Sequence, residues 1–188
     1  MKLAGQRTGG IMSQAEIAGG QVTGANELPG KGRRLRDFSL RSTVGGEVKL
    51  SDYNGRRNLV LIFLDNQPRT LELLSEMAKR YGEFKNWEAE VIAVAQAPCQ
   101  AAIEINNRPN LPCPVLVDEA GRIHNEVGAS DVQGRAAAAI YITDRFGEVF
   151  AVYRTAEGEA LPKVDDILNW LEFINSQCPE CEPPEWPL

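Results

Sequence analysis

Four cysteines hold most of the nucleophilic chemistry open to this chain: Cys99, Cys113, Cys178 and Cys181. The last two form Cys178-Pro179-Glu180-Cys181 within "QCPECEPPEWPL", a spacing shared by dithiol redox pairs and zinc knuckles. Its setting opposes a strongly activated thiol. The pair follows a helical pattern, so it meets the negative end of that helix, and Glu180, Glu182 and Glu185 surround it; both raise a thiol pKa. Zinc tolerates such a setting but takes four ligands, and the chain offers one such pair and a single histidine, His124, which reads as a surface residue. Three readings stay open: a tail without chemistry, a slow dithiol/disulfide switch, and a zinc ion shared by the tails of two chains in a homodimer. No cofactor is expected, and no metal site within one chain. The prolines and Trp186 of "EPPEWP" describe an extended segment that docks by its aromatic ring.

Cys99 and Cys113 acquire meaning only from the elements that place them. "NLVLIFL" (58–64) is a nearly all-apolar run, the mark of a strand covered on both faces. After it Leu71, Leu74, Met77, Ala78 and Tyr81 recur at helical spacing, with Gly82 as the expected stop. "AEVIAVAQ" (89–96) and "CPVLVD" (113–118) are further buried strands, separated by a weak helix over 100–107. A short helix near His124 leads to "AAAAIYITD" (136–144), which turns through Asp144-Arg-Phe-Gly147 into "EVFAVYRT". Pro162 opens a last helix whose apolar face is Val164, Ile167, Leu168, Leu171 and Ile174. Upstream, two short strands flank Gly45-Gly46. The order β-α-β-α-β-α-β-β-α makes a mixed sheet, parallel in its core and antiparallel in its last hairpin, flanked by helices.

In such a sheet the carboxyl ends of adjacent strands form the ligand crevice. Cys99, just past the strand ending near Gln96, could lie beside the loop that follows Leu64. Cys113 starts a strand at the opposite end, about 15 Å or more away, whereas a disulfide needs Cα atoms within about 7 Å. Cys99 and Cys113 are therefore not expected to pair, and Cys113 reads as a core residue.

Several phrases resemble the thioredoxin-fold redoxins, and most closely the alkyl hydroperoxide reductase/thiol-specific antioxidant (peroxiredoxin) family: "RDFSLRSTVGGEVKLSDYNGRRNLVLIF", "EVIAVAQ", "LPCPVLVDEAGRIHNEVGA" and "IYITDRFGEVFAVY", in that order. The resemblance implies an α/β thioredoxin-like fold over roughly 35–175. It also implies a reactive cysteine at the start of the helix after Phe63, where helix N–H groups stabilise thiolate. The loop here is Asp65-Asn66-Gln67-Pro68-Arg69-Thr70, without a thiol. Pro68 and Thr70 match the family's Pro and Thr, while Thr70 and Asn66 read as helix caps rather than catalysts. The family's second landmark, a cis-proline or an arginine before "AIYITD", is replaced by Ala138, with Arg135 three residues earlier. The usual peroxidatic site is thus expected to be dead. Cys178, Cys181 and Cys99 remain as candidate thiols, and Asn66, Gln67, Thr70 and Arg135 as candidate binding residues of the emptied crevice. A non-enzymatic binding or assembly module is the alternative function.

The whole chain sets the remaining bounds. With 43% apolar and 24% charged residues, a full core can be buried. Residues 1–36 carry six Lys/Arg against two Glu, so the rest carries −10 of the net −6. An acidic body repels phosphate backbones, which excludes nucleic acid as a partner. No apolar run approaches the roughly 20 residues that span a bilayer, and no secretory signal is present, so a cytoplasmic chain with reduced thiols and an unknown protein or thiol partner is expected. Residues 1–34 read as a Gly-rich leader, 35–176 as the domain and 177–188 as the tail.

Overall fold

A computed structural model describes residues 28–107 and 111–177. Its framework is one seven-stranded sheet in the order β2-β1-β5-β4-β3-β6-β7. Strands β1 (Ser39–Ser42) and β2 (Glu47–Lys49) form the hairpin expected around Gly45-Gly46, both of which take positive φ. Strand β3 (Asn58–Leu64) is buried at every position. It pairs in parallel with β4 (Ala89–Ala95), in register from Asn58↔Ala89 to Leu64↔Ala95. β5 (Val115–Val117) continues the parallel set beside β4. β6 (Ala139–Thr143) runs antiparallel to β3, and β7 (Val149–Arg154) antiparallel to β6, with a bulge between Ile142 and Thr143.

The central strands are apolar throughout because both faces of the sheet are covered. One face sends Val60, Ile62, Leu64 and Ile140 into a core with α1 (Pro68–Lys79), α2 (Tyr81–Asn86), α3 (Cys99–Asn107) and α5 (Val164–Ser176). The other sends Leu61, Phe63, Ile92, Leu116 and Tyr141 against Ile123 and Val127 of the short helix α4 (Arg122–Glu126) and its C-cap, and against Leu35 and Phe38. The predicted face of α5 is buried as expected, at Val164, Ile167, Leu168, Leu171 and Ile174.

Several boundaries differ from the sequence reading. Gly82 does not stop α1; the helix ends at Lys79 and Gly82 lies inside α2. The break falls at Arg80, whose backbone leaves helical geometry at φ −102°, ψ 17° and whose guanidinium donates to Glu83 and Asp165, each at 2.7 Å. Pro162 precedes α5 by two residues, and the helix is started instead by Asp166, whose carboxylate accepts from the Lys163 amide at 3.0 Å. Residues 28–34, read above as leader, lie along the outer edge of β7, with Gly32 N–H donating to Val149 O at 2.8 Å and Val149 N–H to Arg33 O at 2.9 Å. Among the described residues no helix is long and apolar enough to cross a membrane.

Candidate functional site

The parallel strands β3, β4 and β5 end on the same side of the sheet, and the chain leaves each through a polar residue: Asp65, Gln96 and Asp118. Beyond β3 the turn is tight. Asp65 Oδ1 accepts from the Gln67 amide at 3.0 Å, and Asn66 sits at φ +59°, a left-handed conformation that Asn tolerates better than most residues. Gln67 then caps the backbone of α1, with Pro68 at its first position. The side-chain cap expected of Asn66 or Thr70 is not made. Thr70 is fully buried in the first turn of the helix, and its Oγ1 has no hydrogen-bond partner among the described residues.

Across from this turn lies Gln96. Its Nε2 donates to Gly134 O at 3.4 Å, while its Oε1 is buried without a partner among the described residues. Gly121, at φ +67°, lets the amide approach: a Cβ there would stand 2.4 Å from Gln96 Nε2. The far wall is the turn 131–135. Asp131 accepts from the amides of Gln133 and Arg135 at 2.9 and 3.0 Å and from Arg135 Nε at 2.7 Å. The Arg135 hydrogen bond is the main reason its carboxyl is held below the ordinary range.

Together Asp65, Asn66, Gln67, Gln96, Pro98, Glu119, Asp131 and Arg135 line an open groove of about 820 Å³. The structure therefore brings three predicted residues, Asn66, Gln67 and Arg135, into one groove, and leaves Thr70 buried outside its lining. Cys99 is half-buried at the first position of α3, directly after Pro98, and does not line the groove. Cys113 lies in the core, two residues before β5; burial above all pushes its thiol up to about 12. Both thiols are free, as expected for residues at opposite ends of the sheet. Cys178 and Cys181 lie outside the described residues. Ala138, at the landmark position, is buried, and its carbonyl accepts from Thr155 N and Oγ1 at 2.9 and 3.0 Å.

His124 is a correction. It is completely buried, not on the surface. Its Nδ1 lies 2.8 Å from Asp118 Oδ2, which also accepts from the His124 amide at 2.8 Å, and its ring stands edge-on to Phe63 at 5.2 Å. Burial acts to raise the Asp118 carboxyl, but these hydrogen bonds outweigh it and hold the group below the usual carboxylate range.

Sequence reading also missed Arg154 and Tyr141. Arg154 is buried, with Nε and Nη2 donating to Tyr141 Oη at 2.9 and 2.7 Å, Nε also to Val127 O at 3.1 Å, and Nη2 to Pro29 O. Burial pushes the Tyr141 hydroxyl up to about 12, partly offset by Arg154. Gln96 had a usable signal, a polar residue closing an apolar strand beside the loop after β3. Arg154 had none, because Tyr141, Val127 and Pro29, which accept from it, are 13, 27 and 125 residues away in the chain.

The AhpC/TSA family model matches residues 31–152, well over half the chain. This protein belongs to the AhpC/TSA family. Its fold is thioredoxin-like, and solved peroxiredoxins share it. Peroxidoxin BcpB from Mycobacterium tuberculosis superposes with a TM-score of 0.69 over 79% of this chain and 99% of its own, at 19% identity. Mycobacterium tuberculosis AhpC gives 0.69 over 80% and 95%, at 21% identity. Reduced Plasmodium vivax 2-Cys peroxiredoxin gives 0.68 over 77% and 96%, at 18%. At these identities the likeness establishes the fold alone. None of the curated proteins compared matches the sequence. In this chain the start of the helix after β3 carries Gln67, Pro68 and Arg69 and no thiol.

Proposed function

We propose that this AhpC/TSA-family chain is degenerate at the peroxidatic position: it retains the groove as a polar binding surface and exchanges thiols and disulfides only through Cys178 and Cys181, in the reducing cytoplasm. The observation that carries the reading is the groove itself. Among the described residues its lining is carboxylate, carboxamide, one guanidinium and the apolar Ala97, Pro98 and Ala136, with no sulfur, and the buried Cys113 thiol is pushed up to about 12, away from the thiolate that attacks peroxide. In the exchange, the thiolate of one tail cysteine attacks a partner disulfide and releases one thiol. The second tail cysteine then attacks the mixed disulfide and releases the other. Two electrons and two protons pass to the partner, and the tail keeps a Cys178–Cys181 disulfide.

Two measurements test this. Stopped-flow reaction with hydrogen peroxide, followed by thiol-trapping mass spectrometry, should show the slow rate of an unactivated thiol; rapid oxidation of Cys99 would overturn the dead-site reading. Titration against a glutathione couple should show a two-electron transition that a Cys178→Ser variant lacks.

A second reading, a non-enzymatic binding module, is favoured by Gln96 in the groove wall, whose buried Oε1 has no hydrogen-bond partner among the described residues. If the tail thiols stay reduced across the titration and purified protein carries zinc at one ion per two chains, a zinc-bridged homodimer replaces the switch.

A further inference from the structure

Helix α5 buries one apolar face and carries a second aromatic stripe on its outer side. Trp170 and Phe173 stand three residues apart, ring centroids 5.9 Å from each other and nearly perpendicular, and Phe150 of β7 lies 6.3 Å from Phe173. Trp170 Nε1 donates to Tyr153 Oη at 3.1 Å. Phe173 is 48% exposed, although nearly all other large apolar side chains described are covered. Lys31, Tyr153, Asp166, Asn169, Trp170 and Phe173 line a groove of about 440 Å³.

We propose that this aromatic groove is the dock of the chain's own segment 178–188, with Trp186 laid against Phe173 and Trp170. The inference rests on the tail that the proposed function also uses, but not on its redox chemistry. The first support is the exit point. Gln177 lies on the same helical stripe four residues beyond Phe173, and its Nε2 donates to Phe173 O at 3.5 Å, so the segment leaves α5 at the rim of the groove. Length is the second support. Trp186 is nine residues past Gln177, a reach of up to ~28 Å at ~3.1 Å per extended residue, whereas Trp170 is about 10 Å back along the helix at 1.5 Å per residue. The return needs a chain reversal, and Pro179 at the second position of Cys178–Cys181 suits a reverse turn.

Chemistry is the third support. Proline-rich segments lose little entropy on ordering and dock on aromatic-lined grooves. The segment carries Glu180, Glu182 and Glu185 and no cation. Among the lining residues the cation is Lys31, 5.3 Å from the Trp170 ring centroid. The one lining carboxylate, Asp166, is engaged by the Lys163 amide at 3.0 Å.

The test uses the full chain, fully reduced and labelled with 5-fluorotryptophan. Its three indoles, Trp87, Trp170 and Trp186, give three fluorine signals, and Trp186→Phe assigns the one of interest. The Trp186 signal should be displaced from that of free 5-fluorotryptophan. It should move to the free position in Phe173→Ser and partway there in Lys31→Glu, while circular dichroism shows both variants folded. Should Phe173→Ser unfold, Lys31→Glu carries the test alone. A wild-type Trp186 signal at the free position, or a displaced one indifferent to both variants, overturns the proposal. A displacement that vanishes on dilution together with a dimer in sedimentation assigns the groove to a second copy's tail and overturns it equally. Because no disulfide takes part, a failed glutathione titration leaves this result standing, and the converse holds.

Discussion

Two of the buried polar sites in this protein are treated differently. At the outer edge of the sheet, Arg154, Tyr141 and the carbonyls of Val127 and Pro29 satisfy one another, so the segment at 28–34 is held to β7 by a closed network. At the carboxyl end of β4, Gln96 Oε1 is buried beside an open groove without a partner among the described residues. A closed polar network supports the fold, since every desolvated donor finds its acceptor. An open one costs stability and persists where something else is to supply the missing bond. Among the described residues, unpartnered buried atoms also occur away from the groove, at Asn58 Oδ1 and His124 Nε2, so it is the open groove beside Gln96 that marks the second site as the one available for recognition.

The largest effect should come from breaking the closed network. Arg154→Met leaves the Tyr141 hydroxyl with one partner fewer and releases Pro29 O, and should cost about 3 kcal/mol in urea unfolding. It should also deprotect the amides of Gly32 and Leu35 in hydrogen exchange, because the segment loses its anchor beside β7. An unchanged unfolding midpoint would abolish the distinction drawn between the two sites.

Asp118→Asn comes next. The native carboxyl lies below its unfolded value, near 3.9, so its contribution is complete above that pH and is lost as pH falls through the lower native value. The variant should lose about 1–2 kcal/mol at pH 7. The gap to wild type should begin to narrow below about pH 4. A gap that stays constant from pH 7 to pH 2 would remove the His124 pairing as its cause.

A smaller effect is expected where the two regimes meet. Gly121→Ala places a Cβ against the Gln96 amide at a left-handed φ, which should cost about 1 kcal/mol. It should also shift the Gln96 side-chain NH₂ signals in an NMR spectrum. The smallest stability effect belongs to the groove itself: replacing Gln67 and Arg135 together by alanine should change stability by about 0.5 kcal/mol or less, because exposed side chains away from packing contribute little. The same variant should nevertheless fail to retain whatever partner the wild type captures. Equal capture by both proteins would strip the groove of a binding role.

The elements themselves were legible without coordinates. "NLVLIFL" and "AEVIAVA" are continuous apolar runs because both faces of β3 and β4 are covered, and α5 shows its buried face because thirteen residues allow several turns of the 3.6-residue period to accumulate. The missing thiol after β3 is likewise a fact of composition. Helix α4 is five residues long, too short for any period, so His124 gave no sign that it turns inward to Asp118. Arg154 looks like any charge at the end of a strand, since Tyr141 and the carbonyls of Val127 and Pro29 that accept from it are distant in the sequence. The groove draws on residues near positions 66, 96, 119 and 135, and such separations carry no local signal. Only strand order and register decide that they meet, because long-range pairing, and not periodicity along the chain, sets which loops share one end of a sheet.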